Sequence, residues 1–168
     1  MAVTELEGVS YLTTAQQPIG IFDSGVGGLT VLKQIRKLLP QENVLYLGDS
    51  ARSPYGSKSP EKISSMAMEN SLFLSQSGSK VVVIACNTAT AVAKNHVEIN
   101  LGKKVFGVID AGVKTALRMT KTGKVGVIGT TQTIQSRAHA QAIKKINPAV
   151  QVFTKQTPLF ATIVEEGF

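Results

Sequence analysis

The chain has 168 residues with one cysteine, two histidines and a formal charge of +7, and 43% of its residues are hydrophobic. That length suits one compact α/β domain, or one domain with part of a second. A lone cysteine excludes an internal disulfide, and three soft ligands without metal-like spacing exclude a zinc site, so the chain reads as cytoplasmic with no bound metal.

The first seventeen residues, "MAVTELEGVSYLTTAQQ", carry Glu5 and Glu7 but no basic or apolar signal region. They are expected to form a flexible extension over 1–17 rather than a signal peptide. The first predicted strand is "PIGIF", Pro18 to Phe22. An amphipathic helix follows with Leu29, Leu32, Ile35 and Leu39 on one face, and Pro40 stops it. After a second strand, "NVLYLG", Ser59-Pro60 reads as an N-cap followed by proline at the first helical position, with the helix closing near Gly78. Then come the strand "KVVVIA", a helix from about Ala89 to Ile99, the strand "KVFGVI", a helix from about Ala111, the strand "KVGVIG", a helix from about Thr133 to Ile146, and "VQVFT". This alternation predicts an α/β fold, a mostly parallel sheet with flanking helices, whose ligands bind beyond the carboxyl ends of the strands.

No apolar run reaches the roughly 20 residues that span a bilayer, so no membrane partner is expected. The eighteen Lys and Arg are spread from Lys33 to Lys155, and aromatic residues make up only 5% of the chain. This reads as a solvated basic surface, not a nucleic-acid site.

The residues just past the predicted strands are Asp23-Ser24, Asp49-Ser50, Cys86-Asn87-Thr88, Asp110 and Thr130-Thr131. Each set taken singly is an ordinary helix cap. Together at one sheet edge they would form a pocket of carboxylates, hydroxyls, helix N-termini and one thiol.

Elimination narrows the chemistry. A phosphatase-type thiol loop wants arginine six residues after the cysteine, where this chain has Val92. A Cys-His hydrolase needs an imidazole at the sulfur. His96, ten residues along the same helix, would lie about 15 Å away at ~1.5 Å per residue. His139 has no evident partner and is read as a surface or satisfied histidine. "GVGGLT" lacks the third glycine of a dinucleotide turn and the Walker lysine. Its glycines are expected instead to pass close beneath a small ligand with amides aimed at an anion, so that Gly27→Val would fill the approach. There remains a thiol at a helix N-terminus, where the macrodipole favours thiolate while nearby carboxylates oppose it. A cysteine that takes a proton from a carbon acid, sharing that proton with a carboxylate, fits both influences.

The blocks "GIFDSGVGGLTVL", "YLGDSARSPYGSKS", "VVIACNTATA" and "GVIGTTQTI" resemble the glutamate racemase family of the aspartate/glutamate racemase superfamily, from about Pro18 onward. The resemblance implies a bacterial cytoplasmic isomerase that interconverts L- and D-glutamate without a cofactor, supplies D-glutamate for peptidoglycan, and closes two α/β lobes over its substrate. By position, Cys86 is similar to the thiol that exchanges the α-proton on one face, and Asp23 to the carboxylate that assists it. Ser24, Tyr55, Gly56, Asn87 and Thr88 fall on substrate contacts, and Thr130 and Thr133 on a further contact loop. A first lobe is expected over 18–109 and an incomplete second, similar lobe over 110–168; a homodimer is compatible with the resemblance.

The resemblance also implies a second cysteine in a Gly-Cys-Thr-His block, which does not occur before Phe168. The chain therefore reads as an N-terminal portion with half the catalytic pair, inactive alone, and with an apolar face left uncovered. Thr157 stands where many relatives carry a further cysteine and is given no catalytic meaning. A racemase for aspartate, or an amino-acid-binding fragment without turnover, stays open.

Overall fold

Strands and helices alternate through the computed structural model, which describes residues 15–167. The proposed extension over 1–17 lies almost wholly outside the described residues. Chain order is β1 (Ile19–Asp23), α1 (Leu29–Leu38), β2 (Val44–Gly48), α2 (Pro60–Gln76), β3 (Val81–Ile84), α3 (Asn87–Leu101) and β4 (Val105–Gly107). It continues with α4 (Ile109–Met119), β5 (Lys124–Gly129), α5 (Thr131–Gln135), α6 (Ala138–Ile146), β6 (Gln151–Gln156) and α7 (Phe160–Glu166).

Local chemistry explains most boundaries. Ser59 caps α2, its hydroxyl accepting from the Lys62 amide at 3.3 Å with Pro60 in the first turn, and Gly78 at φ +86° lets the chain leave the far end. Elsewhere the structure departs from the sequence reading. The helix expected from Ala89 begins at Asn87, because Cys86 is itself the cap. The strand expected through Ile109 ends at Gly107, and a buried Ile109 opens α4 instead. The single helix expected from Thr133 to Ile146 is two, α5 and α6, divided at Arg137 with φ 58°. There the Ser136 hydroxyl donates to the Thr133 carbonyl at 2.8 Å and accepts from the Ala138 amide at 3.2 Å, competing with the helical ladder. Two 3-10 turns, Ser50–Arg52 and Tyr55–Ser57, and the helix α7 had no periodic signal.

Four strands form a parallel sheet in the order β2-β1-β3-β4. Alternation along the strands sends Phe22, Val82 and Ile84 toward α2 and α3, where they meet Ile63, Met66, Leu74, Ala89 and Val97. Ile19, Ile21, Val81 and Val83 face Val31, Leu32 and Ile35 of α1 on the other side. Strands β5 and β6 form a second, two-stranded parallel sheet, its Val125, Val127 and Val152 packed on Ile109, Val113 and Ile143. Its opposite face, with Ile128 and Phe153, is exposed. No helix among the described residues is long and apolar enough to cross a membrane.

Candidate active site

The chain runs from β1 outward to β2 and then returns to the far side of β1 as β3, so the connections after β1 and β3 diverge. At such a switch point a crevice opens beyond the carboxyl ends of the strands. Asp23 ends β1 at one side of it, and Cys86 follows β3 at the other.

Asp23 is buried, and its Oδ2 accepts from the amides of Gly25 at 3.1 Å and Gly28 at 3.0 Å. The glycine turn thus holds the protein's own carboxylate, where the sequence suggested amides directed at a ligand anion. The close backbone approach also falls one residue later than expected. A Cβ on Gly28 would lie 2.5 Å from Asp23 Cβ and 3.0 Å from Ala85 Cβ, whereas one on Gly27 would meet only Asp23 Oδ2 at 3.8 Å. Gly28 shapes the turn, and Gly27 lines the cavity.

Cys86 has 6% of its surface exposed. Its thiol donates to the Ser24 hydroxyl at 3.4 Å and its sulfur accepts from the Ala89 amide at 3.4 Å. Burial pushes the thiol pKa up, the contacts with Ser24 and Ala89 pull it down, Asp23 adds to the rise, and the balance is upward. The helix terminus alone favoured thiolate; in the folded chain desolvation outweighs it, and the resting group is a thiol.

Tyr55 is fully buried and donates its hydroxyl to Asp49. Asn70 donates to the same Tyr55 oxygen at 2.9 Å and to Asp49 Oδ2 at 3.1 Å, and Arg52 Nε donates to Asp49 Oδ1 at 2.9 Å. Burial works to raise the Asp49 pKa, but hydrogen bonds from Arg52, Tyr55 and Asn70 outweigh it and hold the carboxyl below its usual range. Burial, then Asp49, raises the Tyr55 hydroxyl. Asp49 therefore anchors the loop from behind, and Tyr55 offers the cavity its ring and main chain, its hydroxyl being already engaged.

Thr88 at the start of α3, Thr130 capping α5 and Thr133 within α5 form a closed ring of hydroxyls, with oxygens 2.9, 3.1 and 3.0 Å apart. The ring joins the two sheets. Gly56 packs against it so tightly that a Cβ there would lie 2.4 Å from Thr130 Cβ.

Asp23, Ser24, Tyr55, Gly56, Cys86, Asn87, Thr88, Thr130 and Thr133 all line one cavity of about 420 Å³. Of the strand-end sets, those after β1 and β3 meet there, with Thr130 but not Thr131 of the set after β5. Asp49 does not, and Asp110, in the first turn of α4, lines a separate cleft with Lys94 and Gln141. His96 is exposed and pairs with Asn100 on its own helix. His139, Thr157 and Phe160 join the cavity wall although sequence reasoning gave them no role. Nothing in the sequence near His139 signals this, since its position depends on the break at Arg137.

The family model of the Asp/Glu/Hydantoin racemases matches residues 19–167, and the chain belongs to that family. Over 150 residues it is 53% identical to a glutamate racemase of Geobacter metallireducens, covering 89% of this chain and 56% of that protein. A glutamate racemase isoform of Bacillus anthracis superposes with a TM-score of 0.85 at 42% identity over 89% of this chain and 56% of that one. The glutamate racemase of Francisella tularensis, solved in complex with D-glutamate, superposes with a TM-score of 0.84 at 43% identity, covering 92% and 58%. The chain thus spans a little over half the length of these relatives.

Proposed function

We propose that these residues form the Cys86 half of a cofactor-independent glutamate racemase that interconverts L- and D-glutamate in the cytoplasm and supplies D-glutamate for peptidoglycan. The observation that carries this reading is the pairing of one buried thiol with one buried carboxylate across a polar crevice at the sheet's switch point. Identity above 40% to proteins named glutamate racemase favours glutamate over aspartate as the substrate.

The α-proton of an amino acid is a very weak acid, so the developing carbanion must be held by fixed dipoles in a water-poor site. Here the Ser24 hydroxyl and the Ala89 amide at the start of α3 contact the sulfur, and Asn87 lines the same cavity. The α-ammonium of the substrate brings positive charge beside Asp23 and Cys86. That charge offsets the carboxylate's effect on the sulfur and makes the thiolate accessible once ligand is bound. Asp23 assists the transfer, and Cys86 takes or returns the proton on its face of the α-carbon. Inversion needs a second acid or base on the opposite face, which in this reading is supplied from outside the described residues.

The test is incubation of the 168-residue chain in deuterated water with each enantiomer, followed by chiral separation and mass measurement. Deuterium uptake with retained configuration is the expected result, and it should disappear in Cys86→Ala. Efficient inversion by this chain would overturn the need for a second group from elsewhere. Binding without deuterium uptake would reduce the site to amino-acid recognition.

A further inference from the structure

Arg52, on the first of the two 3-10 turns, is one-third exposed and holds the buried Asp49 with both arms of its fork. Its Nε donates to Oδ1 at 2.9 Å, and Nη2 lies 2.8 Å from Oδ2. Nη2 also donates to Asn70 Oδ1 at 2.9 Å, while Nη1 pairs with Glu69 at the surface. Because the Asn70 oxygen is engaged in this way, its amide nitrogen is turned to Asp49 and to the Tyr55 oxygen. Tyr55 accepts from Asn70, so its own proton goes to Asp49. Its ring and the adjoining Gly56 line the cavity, with Gly56 closed against Thr130. Arg52, Asp49 and Asn70 stand behind that wall and line a separate groove with Phe73.

We propose that Arg52 is a positioning residue for this cavity: by gripping the Asp49 carboxylate and turning Asn70 toward Tyr55, it fixes the ring and main chain that Tyr55 and Gly56 present to the substrate. The inference rests on the reading of the site as one for glutamate, and it gives Arg52 no contact with substrate. A buried carboxylate that loses its cation is left with an uncompensated desolvation cost and takes up a proton more readily. Burial already works to raise the Asp49 pKa, and the bond from Arg52 is foremost among the contacts that hold it down. Protonated, Asp49 would compete with Tyr55 as a donor, and the turn would lose its fixed pairing. The charged and titratable groups facing Asp49 are Arg52 and Tyr55 on the two turns; Glu69 on α2 faces Arg52 instead, and Asn70 beside it is neutral.

Substitutions separate this role from a purely structural one. Arg52→Gln removes the cation, Arg52→Lys keeps a cation without the fork, and Glu69→Gln removes only the outer, half-exposed pair. Binding of L- and D-glutamate to the whole chain is measured by calorimetry from about pH 5 to 8, with the Tyr55 ring followed by carbon NMR and folding by thermal melting. Arg52→Gln should bind about tenfold or more weakly, most of all at the acid end, and its Tyr55 resonance should move across that range where the parent's stays still. Arg52→Lys should keep the resonance still and remain within about threefold of the parent, and Glu69→Gln should match the parent. Parent-like affinity in Arg52→Gln, or a loss without pH dependence and with an unmoved Tyr55 resonance, would overturn the role of Arg52. Should Arg52→Gln fail to fold, Asn70→Ala cuts the same link at its neutral member, and parent-like binding in that variant would overturn the proposal equally. If the parent chain takes up neither enantiomer, the assignment of the cavity to glutamate fails, while the Tyr55 resonance still decides whether Arg52 holds the wall.

Discussion

At Cys86 the amide of Ala89 and the hydroxyl of Ser24 favour thiolate, while burial and the Asp23 charge favour thiol, and burial decides the balance. A consequence is slow chemistry in the absence of substrate. A small alkylating reagent should modify the folded chain at neutral pH more slowly than it modifies free cysteine, and glutamate should slow it further; a rate at or above that of free cysteine would contradict the buried thiol. Stability carries the same signature. An unfolded cysteine ionises near pH 8.5, below the raised value in the folded chain. The stabilising contribution is therefore fully present below about pH 8.5 and is lost as pH climbs from there through the folded value. Urea midpoints between about pH 7 and 10 should fall less steeply in Cys86→Ala than in the parent.

Among the elements, the junction of α5 and α6 is the one whose geometry the site depends on. Arg137 sits at φ 58°, the left-handed region, which costs a residue with a Cβ roughly 1–2 kcal/mol. Replacing it with glycine removes that strain, partly offset by the greater freedom of glycine in the unfolded chain. Arg137→Gly should raise stability by about 1 kcal/mol, read as a shift in denaturant midpoint with unchanged slope. A fall would mean that the arginine side chain, rather than the Ser136 hydroxyl, holds the break. Helix α1 shows a second element-level point. Its apolar stripe faces the sheet, yet none of its residues is fully buried, and Leu29 and Leu38 stay exposed, so amphipathic pattern sets orientation while neighbours set burial.

For the whole molecule the two sheets differ in how well they are covered. The sheet of β2, β1, β3 and β4 has helices on both faces, as parallel sheets require. The pair β5 and β6 has one face on α4 and α6 and the other open among the described residues, where Ile128 and Phe153 are exposed; Leu159, Phe160 and Val164 at and beside α7 are exposed as well. Apolar side chains exposed together favour association. The chain should bind an apolar dye and associate at high concentration, and Phe153→Lys should weaken both, as measured by fluorescence and light scattering. Unchanged dye binding in that variant would place the sticky surface elsewhere. We propose that the change of sheet near residue 108 divides a first lobe ending with β4 from a second beginning with α4, whose Ile109 already packs on the second sheet, which limited proteolysis between β4 and α4 would test.

Much of this was legible in the residues because it is local. The βα alternation, the Ser59-Pro60 start and the glycine stop at Gly78 depend on period, capping and φ, all carried by short stretches. So does the placing of Asp23 at a strand's last residue and of Cys86, Thr88 and Thr130 just beyond strand ends, since a strand's carboxyl end is a chain position before it is a place in space. Which of those ends converge was settled by the sheet order. The return across β1 brings the loops after β1 and β3 to one cavity, the threonine ring joins the loop after β5 to it, and Asp49 is left to brace Tyr55 from behind and Asp110 to face another cleft. Tertiary packing also set the protonation of Cys86, because desolvation depends on what surrounds the sulfur and not on its neighbours in sequence. His139 reaches the cavity wall for the same kind of reason: it follows a helix break at Arg137, beside the bonds of the Ser136 hydroxyl, whose effect is felt in three dimensions.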